Sequence, residues 1–335
     1  MGFDCIQVTV IINFPMGARV IIGSKLLLRQ LLLLIIAFVT LLPSLAEAYD
    51  ILVLQSSRAS GYEETLNGFR SGQNVSLRVI VLTDYAEVDV VRIVREDRPR
   101  IILALGDAAL TAAHQIKSLP VVAVMSLGIN NSKYTASNLT GISMFVHPER
   151  YVSMFRSMKI RRVGVIYSEE KSGWYLQLSR KAASAAGIEL VVREVSAPQE
   201  TIEKLTTLAG KVDALWMLPD TTAVSRENSE AYFRFGMQKL IPVISFAPVY
   251  LDVGAAAVLE IDRFAMGRQA FAMTAKLLKS GPDNKEKMKF SFPQKTEQKN
   301  NPAVLKRLAM KPEQARNIFW NSQSNNQIVP TTAKY

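Results

Sequence analysis

Two polar residues, Asp220 and Thr221, follow a buried-looking apolar run at residues 214–218. In an open parallel sheet, ligands bind just beyond the carboxyl ends of the strands. An acid and a hydroxyl at this place could therefore hold an amine or the hydroxyl groups of a small molecule. The same residue types are common helix N-caps, and the sequence alone does not favour ligand binding over capping.

Two further apolar runs end in candidate ligand-binding residues. These are Gln55, Ser56, Ser57, Gly106 and Asp107. Hydroxyls and backbone N–H groups at the start of a helix suit a carboxylate or another anion. Asp107 could instead pair with a ligand ammonium. Capping of the following helix is again the alternative for the serines and for Asp107.

The elements that must position these residues alternate regularly along the chain. Apolar runs begin near residues 51, 77, 101, 121, 163, 188, 213 and 242, and amphipathic stretches separate most of them. Alternation of this kind indicates βαβ units and parallel sheets covered on both faces. The fold class is therefore α/β, with two series of units and a break near Gly141.

This break predicts two Rossmann-like lobes of similar construction. A last apolar run and helix after Phe246 fit a return of the chain into the first lobe. The prediction assigns residues 49–144 and 255–310 to lobe 1, 145–254 to lobe 2, and 311–335 to a flexible tail.

Enzymatic chemistry has little support in the sequence. None of the nucleophile-elbow, Walker, zinc-protease or dinucleotide-binding fingerprints is present. The two histidines, His114 and His147, have no nucleophile paired with them, and the only cysteine, Cys5, lies in the leader. We therefore predict no catalytic residue, no metal site and no cofactor.

The charge of the chain does not indicate nucleic-acid binding. The 335 residues are long enough for two packed domains, and Lys plus Arg exceed Asp plus Glu by 40 to 29, which gives a net charge of +11. The basic residues are spread along the chain and concentrate only near the C-terminus. Aromatic residues do not alternate with them, as single-strand binders require.

Residues 1–48 form a predicted secretory leader. Lys25 and Arg29 precede an apolar core at residues 31–42, and small residues follow it up to Ala48. A basic region, a short apolar core and small residues are typical of a cleaved signal peptide. We predict cleavage after Ala48 and export of the remaining chain.

Two alternatives for the leader stay open. The apolar core is short for a bilayer of about 30 Å, but residues 26–28 extend it enough for an uncleaved membrane anchor. Translation could also begin at Met16 instead of Met1, because the region before the apolar core is unusually long.

Five stretches of the chain resemble a known family in order and spacing. They are residues 103–125, 138–143, 161–173, 212–222 and 241–270. Together they resemble the solute-binding proteins of ABC transporters, with the type I periplasmic-binding fold. The resemblance implies two lobes joined by a three-segment hinge that close on a small organic ligand. It also implies a monomeric periplasmic protein that delivers this ligand, amino-acid-like or another solute, to an inner-membrane ABC permease.

The alternative function is a periplasmic sensing module that presents the closed state to a membrane receptor. The resemblance also implies roles for particular residues in the second lobe and the hinge. It places a ligand-facing loop between Ser168 and Ser172, and Phe246 is expected to form an apolar wall. Trp174 and Tyr167 flank that loop, either stacking on the ligand or packing in the core or hinge.

The same resemblance assigns Asn138, Thr140 and Gly141 to the hinge. The chain departs from the family pattern on the first-lobe face. Asp107 stands where relatives often have threonine followed by proline or alanine, and residues 126–128 differ from the usual Thr-Asp-Pro turn. These departures leave the identity of the ligand open.

Overall fold

The computed structural model describes residues 29–34, 49–72, 76–130, 137–280 and 290–309. The predicted cleavage point after Ala48, the choice between Met1 and Met16, and the predicted tail at 311–335 lie outside these residues. The chain divides into two compact units, residues 1–48 and 49–335. In the first unit, residues 29–34 form an exposed helical segment. Across the described ranges, no helix has both the length and the apolar character needed to cross a membrane.

The first sheet of the second unit has six strands, all paired in parallel. Its strands are β1 (Ile51–Gln55), β2 (Leu77–Val81), β3 (Ile101–Leu105), β4 (Val121–Val124), β5 (Leu139–Ile142) and β11 (Phe290–Ser291), in the order β11-β5-β4-β3-β1-β2. The helices that pack on it are α1 (Ser60–Arg70), α2 (Val90–Asp97), α3 (Asp107–His114) and α9 (Arg263–Ser280). β1 and β3 are buried along their whole length because helices cover both faces of the sheet.

The second sheet has the same build, except that its last strand is antiparallel. Its strands are β6 (Arg162–Tyr167), β7 (Glu189–Glu194), β8 (Ala214–Trp216), β9 (Val243–Ser245), β10 (Ala257–Ile261) and β12 (Thr296–Asn300), in the order β12-β10-β9-β8-β6-β7. The accompanying helices are α4 (Pro148–Ser157), α5 (Glu169–Ala185), α6 (Glu200–Thr206), α7 (Ser229–Lys239), α8 (Val249–Val253) and α10 (Pro302–Leu308). The predicted α/β class with two sheets is confirmed, and both sheets are mostly parallel.

One part of the predicted lobe division is wrong. The prediction assigns residues 255–310 to the first lobe, but β10 pairs with β9 and β12 pairs with β10, so both strands belong to the second sheet. The chain returns to the first sheet with α9, which packs closely on α1. The reason is that an apolar run predicts a strand without saying which sheet edge it joins.

Close packing of α1 on α9 depends on two glycines. A Cβ added at Gly68 would lie 2.0 Å from the carbonyl oxygen of Phe264, and one at Gly267 would lie 2.0 Å from that of Thr65. Glycine at both positions lets the two backbones touch. The start of α9 is therefore held firmly against the first lobe.

The chain passes between the two sheets three times within the described residues. The crossings are residues 143–147, residue 262 and residues 292–295. The first leaves the carboxyl end of β5, and the second leaves the carboxyl end of β10. In the third, Ser291 at the end of β11 lies beside Ile142, while Thr296 at the start of β12 lies beside Ile261. All three crossings therefore join the carboxyl edges of the two sheets.

The three predicted hinge residues lie before the first crossing rather than in it. Asn138 is at the amino end of β5, where its side-chain amide donates to the carbonyls of Ile116 and Leu119 at 2.9 and 2.7 Å. Thr140 and Gly141 lie inside β5. Their role in lobe closure stays a prediction.

Gly141 has a clear packing requirement. A Cβ on this residue would lie 1.9 Å from the carbonyl oxygen of Ala123 on β4. Glycine is required here because β4 and β5 approach closely, not because the backbone needs an unusual φ.

Candidate functional site

The first-lobe face of the cleft begins with Gln55, the last residue of β1. Its side chain is completely buried, and its amide nitrogen donates to the carbonyl of Ser57 at 2.8 Å and to Glu63 Oε1 at 2.7 Å. Its amide oxygen has no hydrogen-bond partner among the described residues. Gln55 therefore joins the loop after β1 to the first turn of α1 and retains one unused acceptor.

Ser56 and Gly106 meet where β1 and β3 end side by side. The backbone N–H of Ala109 donates to Ser56 Oγ at 3.0 Å, so this hydroxyl caps α3 from a neighbouring strand. Gly106 has φ +94, and a Cβ there would lie 2.5 Å from Tyr62 Oη and 2.6 Å from Ser56 Oγ. Only glycine combines this backbone conformation with such close neighbours.

Asp107 is the first residue of α3, and its side chain binds the loop that follows β4. Its Oδ1 accepts hydrogen bonds from the hydroxyl of Ser126 and from the backbone N–H of Gly128, the second at 2.9 Å. Its Oδ2 accepts no hydrogen bond from the described residues, and the residue is exposed. One carboxylate oxygen is thus available at the carboxyl edge of the first sheet.

Asp220, on the second-lobe face, is fully occupied by its own lobe. The residue is 2% exposed. Its Oδ2 accepts from the backbone N–H of Ser168 at 2.8 Å and from the hydroxyl of Ser172. Its Oδ1 accepts from the backbone N–H groups of Thr222 and Ala223 at 2.9 and 3.0 Å. These contacts cap the turn at residues 221–224 rather than a helix, since α7 begins only at Ser229, and they also join the loop after β8 to the start of α5.

The other second-lobe candidates divide by exposure. The predicted ligand-facing loop from Ser168 to Ser172 is wrong, because these residues form the N-cap and first turn of α5; Ser168 and Ser172 are buried there, and both contact Asp220. Thr221 is exposed, and Phe246 is half-buried with its ring 5.4 Å from that of Tyr250. Thr221 and Phe246 therefore remain accessible at the carboxyl ends of β8 and β9.

An aromatic cluster connects the first and third crossings to the second lobe. Trp174 on α5 packs edge-on against Phe145 at 5.1 Å and lies parallel to Phe292 at 6.4 Å. Phe145 belongs to the first crossing and Phe292 to the third. The Tyr175 ring also contacts Phe145 at 4.6 Å. Of the two roles open for Trp174, these contacts correspond to packing at the hinge.

Charge and burial shift the pKa of several groups near the cleft. Burial, and secondarily the charge of Asp107, raise the pKa of Tyr62, so this phenol stays protonated at neutral pH. The hydrogen bond from Lys295 lowers the pKa of Asp262, which lies in the second crossing. Asp262 also accepts from the N–H of Ala265 at 2.8 Å and so caps α9.

Sequence reasoning missed three residues at this edge: Tyr62, Met125 and Arg263. Met125 directly follows β4 and has φ +57, a backbone conformation that non-glycine residues adopt at a cost of roughly 1–2 kcal/mol. Its position after an apolar run was the available sequence clue. No comparable sequence feature pointed to Arg263. It is the first residue of α9, and the helix on which α9 packs, α1, is distant in sequence.

A comparison with curated proteins finds one relative by sequence, a tyrosine-binding protein from Clostridioides difficile. It is 22% identical over 193 residues, which are 54% of this chain and 55% of that protein. The chain thus aligns with about half the length of this relative.

Two solved structures share the fold. The first is the ABC domain in complex with L-Trp from Streptococcus pneumonia, with a TM-score of 0.54, 19% identity, and coverage of 80% of this chain and 98% of that one. The second is the ligand-free, open structure of a substrate-binding protein with adhesive properties from Clostridium difficile. Its TM-score is 0.58 at 20% identity, and the alignment covers 78% of this chain and 95% of that one.

The sequence profile of a family agrees with this fold. The ABC transporter substrate-binding proteins match residues 68–314, which include most of both lobes and all three crossings. The chain therefore belongs to the family of ABC transporter substrate-binding proteins.

Proposed function

We propose that this protein captures a small, amino-acid-like organic solute between its two lobes and delivers it to an ABC permease of the inner membrane. The proposal rests on the observation that all three crossings join the carboxyl edges of the two sheets. Ligands bind at this edge in open α/β sheets. A solute held there contacts both lobes at once and stabilises the closed arrangement.

The ligand chemistry is proposed from the accessible groups at these edges. Asp107 offers one carboxylate oxygen to an ammonium or hydroxyl group, and Phe246 offers a half-buried ring to an apolar or aromatic body. Relatives named for tyrosine and crystallised with L-Trp support an aromatic amino acid as the first ligand to test. Asp220 would act through the loops it holds rather than by touching the ligand.

The proposed location of the protein is outside the inner membrane. The basic residues and apolar core of residues 1–48 support export through a cleaved signal peptide. Mass spectrometry of the exported chain would test the cleavage after Ala48. A chain that keeps residues 31–42 and sediments with membranes would indicate the uncleaved anchor instead.

The first experiment is a thermal-shift screen of residues 49–335 against L-amino acids, aromatic acids, purines and organic acids. A ligand at 100 times its dissociation constant adds about 2.7 kcal/mol of stability. For a chain of this size, this is roughly a 5–10 °C rise in melting temperature. The proposal predicts such a rise for at least one solute, and a screen without any shift contradicts it.

Lobe closure gives an independent measurement. Trp174 contacts both the first and third crossings, so its fluorescence should change when an active solute is added. Small-angle scattering should show a smaller radius of gyration in the same titration. Binding without a change in either would contradict capture between moving lobes.

A further inference from the structure

Arg263 lies between the two carboxyl edges. It is the first residue of α9 and stands two positions after the end of β10. Its Cδ and Nε atoms lie 3.3 Å from the point that a Cβ on Gly61 would occupy, and Met125 Cε lies 3.4 Å from the same point. Gly61 is in the first turn of α1, and Met125 directly follows β4. The side chain therefore leaves the end of a second-sheet strand and reaches the carboxyl edge of the first sheet.

Two carboxylates contact one end of the guanidinium. Arg263 Nη1 lies 3.3 Å from Glu64 Oε2 on α1 and 3.8 Å from Glu260 Oε1 on β10. The other oxygen of Glu260 lies 2.6 Å from Lys299 Nζ. Lys299 therefore shares Glu260 with Arg263, and its Nζ also lies 3.8 Å from Glu297 Oε2.

The opposite edge of the guanidinium has no acceptor. Neither Nε nor Nη2 of Arg263 contacts an acceptor within the described part of the chain, and the side chain is 34% exposed. Nε and Nη2 form one planar fork, which matches the two oxygens of a carboxylate. Gly61 leaves this edge open, because a larger residue there would crowd Nε.

We propose that Arg263 binds the carboxylate of the solute and so restricts the cleft to ligands that carry one. The free oxygen of Asp107 then receives the ammonium group, and the ligand is a zwitterion with both charged groups bound. Ser126 connects the two sites, since its hydroxyl donates to Asp107 and it directly follows Met125, which like Arg263 lies close to Gly61. This inference rests on the proposed function, because it names what that cleft recognises.

The test compares paired probes that differ only in the carboxylate: L-tyrosine with tyramine, and L-tryptophan with tryptamine. Binding is measured by calorimetry on wild-type protein and on Arg263→Gln. We expect Arg263→Gln to weaken L-amino-acid binding by roughly 10- to 100-fold, which is the usual effect of losing hydrogen bonds to a charged group. Binding of tyramine or tryptamine should change by less than about threefold.

Matched variants separate recognition from folding. Arg234→Gln removes an exposed arginine that also lies 3.9 Å from a glutamate, and it should leave every affinity unchanged. Arg263→Lys keeps the charge without the fork, and it should lose about tenfold. If Arg263→Gln does not fold, Arg263→Lys carries the comparison, with its melting temperature measured beside that of wild type.

Three outcomes would overturn the inference. Arg263→Gln, or Arg263→Lys in its place, could bind the amino acids as tightly as wild type. Wild type could bind the amines as tightly as the amino acids. Wild type could also fail to bind any of these probes and bind only solutes that have no carboxylate. In each case the proposed function survives if some solute still raises the melting temperature. If no solute does, the proposed function fails and the inference fails with it.

Discussion

Replacing Asp220 with alanine should destabilise the protein strongly, because this carboxylate is buried and holds four donors. The variant leaves the N–H of Ser168 and the hydroxyl of Ser172 buried without their acceptor, at a cost of roughly 1–3 kcal/mol each. Loss of the cap on Thr222 and Ala223 adds about 1 kcal/mol. Relief of the buried charge offsets part of this. The net loss should be about 3–5 kcal/mol, or roughly 6–20 °C in melting temperature.

Asp220→Asn is the informative partner variant. The amide oxygen can still accept from Thr222 and Ala223, but its nitrogen then faces the N–H of Ser168 and cannot accept from it. We expect a loss of about 1–3 kcal/mol, between wild type and Asp220→Ala.

Thermal and urea unfolding of the three proteins measure this series, with Thr221→Ala as the control. Thr221 is exposed beside Asp220, so its variant should melt within about 1–2 °C of wild type. The reasoning is refuted if Asp220→Ala melts like wild type and loses only ligand affinity. That result would make Asp220 a ligand contact and not a structural residue.

Two further predictions concern the crossings and the strands that lead into them. Gly141→Ala should lower the free energy of unfolding in urea by about 3 kcal/mol, because the added Cβ would lie 1.9 Å from the Ala123 carbonyl oxygen. The control Gly210→Ala should lower it by about 1 kcal/mol, because Gly210 has φ +71 but no atom lies near the added Cβ. Equal costs would contradict the packing argument. The lowered pKa of Asp262 means that its contribution to stability is present above the unfolded pKa of about 3.9 and is lost as the pH falls through the lower folded value. Asp262→Asn should therefore melt below wild type at pH 7, and the difference should shrink as the pH approaches about 3; a constant difference would remove the ionic explanation.

Much of the fold was predictable because its signals are local. Continuous apolar runs at β1 and β3 indicated strands buried on both faces, and the structure places them in the middle of a parallel sheet. The wrong assignment of β10 has a physical cause. Its apolar residues could pack equally well in either sheet, and its partner β12 is a polar strand near the end of the chain.

The candidate site was predictable only in outline. Position after an apolar run correctly placed Gln55, Asp107 and Asp220 at strand ends. This position did not distinguish a carboxylate with one unbonded oxygen, as in Asp107, from one whose two oxygens both accept hydrogen bonds, as in Asp220. That difference depends on whether donors from other loops reach the carboxylate, as Ser168 does for Asp220.

The sequence by itself determined the class of the fold, the two series of βα units and the strand ends where polar residues gather, because these follow from apolar periodicity along a continuous stretch. Tertiary structure alone decided which polar groups are already satisfied and which are free. It buried Asp220 under its own loops, and it brought Arg263 beside Gly61, about two hundred residues earlier in the chain. Hydrogen-bond satisfaction depends on neighbours in space, and those neighbours are set by how the lobes pack and where the crossings run.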